Sequence, residues 1–289
     1  MRIGIIGKTQ KKEALDITKE LSQWLQKRGI EVYVDKDLGR GITYATSVSR
    51  TELPELVDVI LVFGGDGTFL GVARLVCKYG IPILGINLGG LGFLTEITLD
   101  ELYPMMEYIL SGKYEVERRE MLYAAIHRKA DRVGDYVVLN DVVVNKGAVA
   151  RIIDLAIYIN GSHVTTFKAD GIILSTPTGS TAYSLSAGGP IVYPTLPLTI
   201  ITPICPHTLT DRPLVVSNET TVRVKVLTDT PDIYLTLDGQ VGVNLRMGDI
   251  IEVRKADTSV RLIKSPFRDY FTILKTKLMW GERYGALQR

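Results

Sequence analysis

The run VDVILVFGGDGTFLGVARLV, residues 57–76, limits the fold of this chain more than any other stretch. Five consecutive apolar residues, Val59, Ile60, Leu61, Val62 and Phe63, stop at Gly64-Gly65-Asp66-Gly67-Thr68, after which apolar residues return with helical spacing. The run reads as strand, tight turn, helix. A short, wholly hydrophobic strand suits a parallel sheet covered on both faces, and Leu70, Ala73 and residues 75–77 supply the inner face of the helix. Three glycines in four residues let a ligand approach the backbone without meeting a Cβ atom, and the open amides at the helix start favour phosphate. Asp66 is thereby presented at the carboxyl end of a strand, where it either caps the helix or faces a ligand. This stretch alone leaves both readings open.

At 289 residues the chain has length for two domains with a core each. A net charge of +2 gives no general basis for binding nucleic acid or a membrane surface, although a local site for an anionic ligand remains compatible with it. Cys77 and Cys205 are far apart in stretches that read as buried, which makes neither a disulfide framework nor a metal cluster and implies a reducing cytoplasm. The opening MRIGIIGK reads as a strand rather than a signal peptide, and no apolar run approaches membrane-spanning length. A soluble cytoplasmic protein is expected.

The chain opens β-α-β, with strands at 2–6 and 31–34 and a helix over 11–28 that Gly29 stops. The turn Gly4-Ile5-Ile6-Gly7-Lys8-Thr9 imitates a Walker phosphate loop but fails on spacing, since Arg2 stands where the first glycine belongs. Residues 35–50 lack periodicity and read as a loop beside a cleft. A strand at 83–86 leads into a second glycine-rich turn, Asn87-Leu88-Gly89-Gly90-Leu91-Gly92-Phe93. Turns of this kind converge on the ligand crevice of an open α/β sheet. Thr98 and Glu101 then form a capping box for a helix ending at Ser111-Gly112.

From residue 114 the pattern changes to strands, at 122–128, 136–144, 155–159, 164–167, 198–201, 214–216, 221–227, 233–237, 250–254 and 260–263, with Asn160-Gly161 as a hairpin turn. The expected organisation is an α/β domain with a parallel, Rossmann-like sheet over 1–110, and an all-β, sandwich-like domain over 111–265. A helical segment at 270–279, within 266–289, returns to the first domain. Asn140-Asp141 lies inside an apolar β run, where an unpartnered polar group costs about 1–3 kcal/mol, so a structural bond or a ligand hydroxyl has to satisfy it. The densest signal is KADGIILSTPTGSTAYSLSAGGP, residues 168–190. Its hydroxyls Ser175, Thr176, Thr178, Ser180 and Thr181 exceed what capping a short helix over 180–187 needs. Ser180 suits the cap, the surplus suits a heterocycle edge, and Tyr183 offers a ring to stack on. No G-x-S-x-G elbow accompanies Ser180, which argues against a serine nucleophile, and His207 reads as structural.

These motifs together resemble the NAD kinase family of the bacterial and archaeal type. The resemblance runs through Gly64 to Thr68, Asn87-Leu88-Gly89 with Leu91-Gly92-Phe93, Asn140-Asp141, Asp170-Gly171, residues 176–189, Pro206-His207-Thr208-Leu209, Arg212-Pro213-Leu214 and Asp238-Gly239-Gln240. It covers most of the chain. The GGDGT turn is shared with phosphofructokinases and diacylglycerol-type lipid kinases, whereas TPTGSTAYSLSAGGP is far more specific. Asp141 stands where many members have glutamate and Lys168 where many have arginine, which costs the latter position its bidentate geometry.

The resemblance implies transfer of the γ-phosphoryl of ATP, or of inorganic polyphosphate, to the 2′-hydroxyl of the adenosine ribose of NAD. Asp66 would be the general base or aligning carboxylate, with a link to magnesium as the rival role; Gly64, Gly65, Gly67 and Thr68 would cradle phosphates, and Phe93 would wall one side. Asn140 and Asp141 would hold ribose hydroxyls, while Asp170, Thr178, Thr181, Ala182, Tyr183 and Ser186, joined by Lys168 and Gln240, would complete dinucleotide binding. Magnesium or another divalent cation and a homodimer or homotetramer are implied as well. A lipid kinase, opposed by the TAYSLSAGGP run, a phosphofructokinase, opposed by the strand-rich residues 114–265 where an α/β half would be expected, and a non-enzymatic NAD sensor, which needs no Asp66, are the alternatives.

Overall fold

A computed structural model describes residues 1–8, 12–147, 151–208 and 210–280. Thr9, Lys11 and Leu209, which figure in the motifs above, lie outside the described residues. The chain forms two compact units, Met1–Arg118 with Val260–Arg289, and Arg119–Ser259.

The first unit runs β1 (Arg2–Gly7), α1 (Lys12–Gln26), β2 (Glu31–Asp35), β3 (Thr46–Val48), α2 (Leu53–Leu56), β4 (Val59–Phe63), α3 (Asp66–Val76), β5 (Pro82–Ile86) and α4 (Leu102–Leu110). Its strands are parallel in the order β3-β2-β1-β4-β5. Every residue of β4 and β5 is buried, as a sheet covered on both faces demands. In α1, Ala14, Thr18, Leu21, Ser22 and Leu25 are buried at helical spacing, and Gly29 follows with φ +73°. The Thr98–Glu101 capping box forms, opening a 3₁₀ turn that leads into α4. The stretch 35–50 is more ordered than a loop. It carries β3 on the edge of the sheet, and Arg50 Nε donates to the buried Asp35 carboxylate at 2.7 Å. In α3 the inner face includes Phe69 and Val72, while Leu75 is only half-buried, so the helix is turned slightly from the expected face.

The second unit contains β6 (Val116–Arg128), whose first residues belong to unit one, β7 (Asp131–Val138), β8 (Asp141–Lys146), β9 (Ile153–Ile159), β10 (Ser162–Ala169), β11 (Gly171–Ser175), α5 (Tyr183–Ser186), β12 (Leu198–Ile204), β13 (Leu214–Ser217), β14 (Val222–Val226), β15 (Ile233–Leu237), β16 (Val241–Leu245) and most of β17 (Ile250–Ile263). One antiparallel sheet has the order β13-β12-β11-β8-β15-β16, and β10-β9-β14-β17 forms a second ladder. Val142, Ile172, Leu174 and Leu235 from the first share one core with Leu155, Val224 and Ile251 from the second, which is a sandwich. Asn160 and Gly161 both take positive φ, as a tight hairpin requires.

Four further expectations are corrected. The run 136–144 is not one strand: it breaks between β7 and β8, and Asn140 stands at the break. The segments 250–254 and 260–263 are one strand, β17, whose last residues return to unit one, where Arg261 and Leu262 pair with Pro82 and Ile83 of β5. The segment 180–187 is a 3₁₀ turn, Thr178–Thr181, followed by the single turn α5. Cys205 is exposed rather than buried, while Cys77 is buried. In unit one, α6 (Tyr270–Leu278) buries Ile273 and Leu274, and its first turn is capped by Asp269, which accepts the Thr272 amide at 2.7 Å.

Candidate functional site

In unit one the sheet delivers the glycine turn to the carboxyl end of β4, and α3 begins at Asp66 with Gly65 as its N-cap. Glycine has no side chain to cap with, and Asp66 does not cap either. Its carboxylate reaches the second glycine-rich turn, beyond β5. Oδ2 accepts the Phe93 amide at 3.0 Å, and Oδ1 accepts the Leu94 amide at 3.0 Å, the Thr95 amide at 3.1 Å and the Thr95 hydroxyl at 3.1 Å. The two glycine turns therefore form one structure, with Asp66 as the tie. Gly92 is what allows the approach, because a Cβ there would overlap both Asp66 Oδ1 and Thr95 Oγ1. Gly65 and Gly67 stay exposed at the start of α3, Thr68 is half-buried beside Gly64, and the Gly64 amide is engaged by the Ile86 carbonyl at 3.0 Å.

In unit two a cavity of about 350 Å³ is lined by Asn140, Asp141, Ala182, Tyr183, Asp238 and Gly239, together with Val143, Asn145 and Thr236. Two devices shape it. Asp238 and Gly239 take positive φ in the turn after β15, and the buried Asp238 carboxylate accepts the amides of Leu139, Asn140 and Asp141 at 3.1, 2.7 and 3.2 Å. From the other side, Thr176 Oγ1 donates to the Leu139 carbonyl at 2.6 Å and the Thr176 amide to the Asn140 carbonyl at 2.9 Å. The break between β7 and β8 is thus held open as a polar wall. Asp141 is 4% exposed, and among the described residues no donor reaches its carboxyl group. Burial, and then the neighbouring Asp238 charge, push that carboxyl up to about 7. The Asn140 Oδ1 and Asn145 Oδ1 atoms are also buried without a partner. A ligand rich in hydroxyl or amine donors would satisfy all three.

The cavity brings together Asn140, Asp141, Ala182 and Tyr183 from the sequence-derived set, and Tyr183 is exposed enough to stack on a ligand. Thr178 is buried and receives a bond from Arg119 at 3.4 Å, while Thr181 donates to the Thr178 carbonyl at 3.4 Å. Asp170 pairs with Lys146 at 3.3 Å. Lys168, Ser186 and Gln240 are exposed outside the cavity lining. Ser180 does not cap a helix: fully buried, it donates to the Val192 carbonyl at 3.2 Å and accepts the Val192 amide at 3.1 Å. Within this hydroxyl run, Thr176 and Ser180 bond to nearby backbone groups. His207 is exposed and bonds through its amide to the Lys168 carbonyl. Asn145, Thr236 and Asp238 were not among the sequence-derived site residues; the DGQ motif marked Asp238, but nothing local tied it to Asn140.

Comparison with known proteins bears on the whole chain. Residues 3–114 match the family model described as the ATP-NAD kinase N-terminal domain, and residues 139–265 the ATP-NAD kinase C-terminal domain. The NAD kinase of Geotalea daltonii is 50% identical over 282 residues, covering 98% of this chain and 99% of its own. That of Geobacter sp. strain M21 is 52% identical over 287 residues at the same coverage. A yeast NADH kinase complexed with NADH superposes with a TM-score of 0.91 at 26% identity, covering 98% of this chain and 89% of its own. An Archaeoglobus fulgidus NAD kinase in complex with ATP gives 0.77 at 28% identity, with 96% and 99% covered. With both domains matched in order and half of the residues shared with full-length relatives, this chain belongs to the NAD kinase family.

Proposed function

We propose that the chain transfers the γ-phosphoryl of ATP to the 2′-hydroxyl of the adenosine ribose of NAD, giving NADP and ADP, with Asp66 as the catalytic carboxylate. The observation that carries this reading is the Asp66 carboxylate, held by three amides and a hydroxyl at a glycine turn on the carboxyl end of β4. In the reaction the ribose oxygen bonds to the γ-phosphorus, the bond to the β,γ-bridging oxygen breaks, ADP leaves, and the hydroxyl proton passes towards Asp66. Such transfers depend on positioning and on neutralising phosphate charge.

The exposed backbone of Gly65 and Gly67, with Gly64 and Thr68 behind it, receives phosphate at the start of α3. Phe93 walls the same turn. In unit two, Asp141 and Asn140 take ribose hydroxyls, and Tyr183 with Ala182 takes a base. Lys168, Asp170, Thr178, Thr181, Ser186 and Gln240 surround these groups in the same reading. Among the described residues no three His, Cys, Asp or Glu side chains come together as a metal cage. In this reading a magnesium ion would arrive on the ATP phosphates and supply charge neutralisation there, with Asp66 as the carboxylate of the glycine turn that could help to hold it. No helix among the described residues is long and apolar enough to cross a membrane, and a cytoplasmic homodimer or homotetramer completes the proposal.

Purified protein incubated with magnesium, ATP and NAD should yield a product that an NADP-specific dehydrogenase reduces. Asp66→Asn should lower turnover by about 100-fold or more while NAD still binds. Binding of NAD without NADP formation would instead identify a sensor, and near-normal turnover in the variant would remove Asp66 from the chemistry.

A further inference from the structure

Behind Asp66 lies a chain of hydrogen bonds whose direction is fixed at both ends. The Gly89 amide can only donate, and it meets Asn87 Oδ1 at 2.8 Å. That contact sets the orientation of the Asn87 amide, turning Nδ2 towards Thr95 Oγ1 at 2.7 Å. The Thr95 hydroxyl, accepting from Asn87, has its own proton left for Asp66 Oδ1, 3.1 Å away. An ionised carboxylate can only accept, so the far end agrees. Thr95 is fully buried and Asn87 is 8% exposed, so solvent does not compete for these bonds. The consequence falls on the two carboxylate oxygens unequally. Oδ1 takes three donors, whereas among the described residues Oδ2 takes the Phe93 amide alone. Acceptor capacity for a further donor is left on Oδ2.

We infer that Asn87 and Thr95 are positioning residues for the phosphoryl transfer: they lock the rotation of the Asp66 carboxylate so that Oδ2 receives the acceptor hydroxyl. The inference rests on the proposed role of Asp66. A carboxylate that loses one of its four bonds still binds charge, but presents Oδ2 in a less firmly set direction. The chemical step then suffers without a matching loss of substrate binding.

Thr95→Val keeps the shape of the side chain and removes the hydroxyl. It should lower kcat by about 10- to 100-fold with KM for NAD and ATP changed less than about threefold. Thr95→Ser, which restores the hydroxyl without the methyl, should recover most of the lost kcat. Asn87→Asp preserves the acceptor for Gly89 and the size of the side chain but loses the donor to Thr95, drawing the threonine proton away from Asp66. It should reproduce the kcat loss and keeps the question answerable if the valine variant does not fold. Combined with Asp66→Asn, Thr95→Val should cost little more than Asp66→Asn alone, because the two act as a unit. Wild-type kcat in folded Thr95→Val or Asn87→Asp, or equal losses in the valine and serine variants, would overturn the inference while leaving Asp66 in place. Near-normal turnover in Asp66→Asn would overturn the underlying reading instead.

Discussion

A single methyl group at residue 92 would occupy the space in which the Asp66 and Thr95 oxygens meet. Gly92→Ala should therefore displace the carboxylate, lowering kcat by about 100-fold, since ångström-scale misplacement is enough for such a loss. NAD affinity measured by calorimetry should change little, because the unit-two cavity is untouched. Asp141 supplies a second test at this scale. Its folded-state value of about 7 lies above the ordinary carboxylate value, so between these values the folded chain keeps a proton that the unfolded chain has released. The stabilisation from that proton is complete below about pH 4 and is lost as pH rises through about 7. In ligand-free protein, Asp141→Asn should raise the melting temperature relative to the parent near pH 8, and the gain should shrink towards pH 4. Melting curves across that range check it. The place of Asp66, at the carboxyl end of β4 and the start of α3, was legible in the sequence because the apolar run stops at the glycine turn and helical spacing follows it; its tie to the second glycine turn was not. The contacts of Thr95 and Asp238 were not legible either, because a group whose partners lie outside its own stretch carries no local signature; Thr95 meets the Asp66 and Asn87 side chains, and Asp238 acts on amides 97 to 99 residues away.

Among the elements, the turn joining β15 to β16 acts as a clamp on the start of β8. Asp238→Ala leaves three amides without their acceptor, two of them on buried residues, and each unsatisfied buried group costs about 1–3 kcal/mol. Hydrogen exchange should show the Leu139, Asn140 and Asp141 amides losing protection, while amides in β1 and β4 keep theirs. The parallel sheet was legible from its apolar runs and glycine turns, since burial on both faces leaves a continuous hydrophobic signature in β4 and β5. Strand limits in unit two were less so. The break at Asn140 is held by Asp238 and Thr176, and β17 continues through polar residues because it pairs in turn with β14, β6 and β5. Edge strand β16 alternates half-buried and exposed positions, too weak an apolar pattern to announce itself.

At the scale of the molecule, the two units differ in how the chain builds them. Unit two is one continuous segment, whereas unit one needs residues from both ends of the sequence. Fragment 119–259 should fold by itself, giving an all-β circular dichroism spectrum and a cooperative melt. Fragment 1–118 should not, because it lacks the β17 residues that pair with β5 and the buried Ile263, Ile273 and Leu274. A cooperative melt of 1–118 alone would refute this. The same discontinuity sets an order of events on the ribosome. β5 emerges long before Arg261 and Leu262, and at the usual pace of synthesis the interval is roughly ten to forty seconds. During that time the nascent sheet carries an open edge, a template for mispairing with other chains. Pro82, at the very position that later pairs with Arg261, offers no amide to a stray strand, so the waiting edge is blunted at that position.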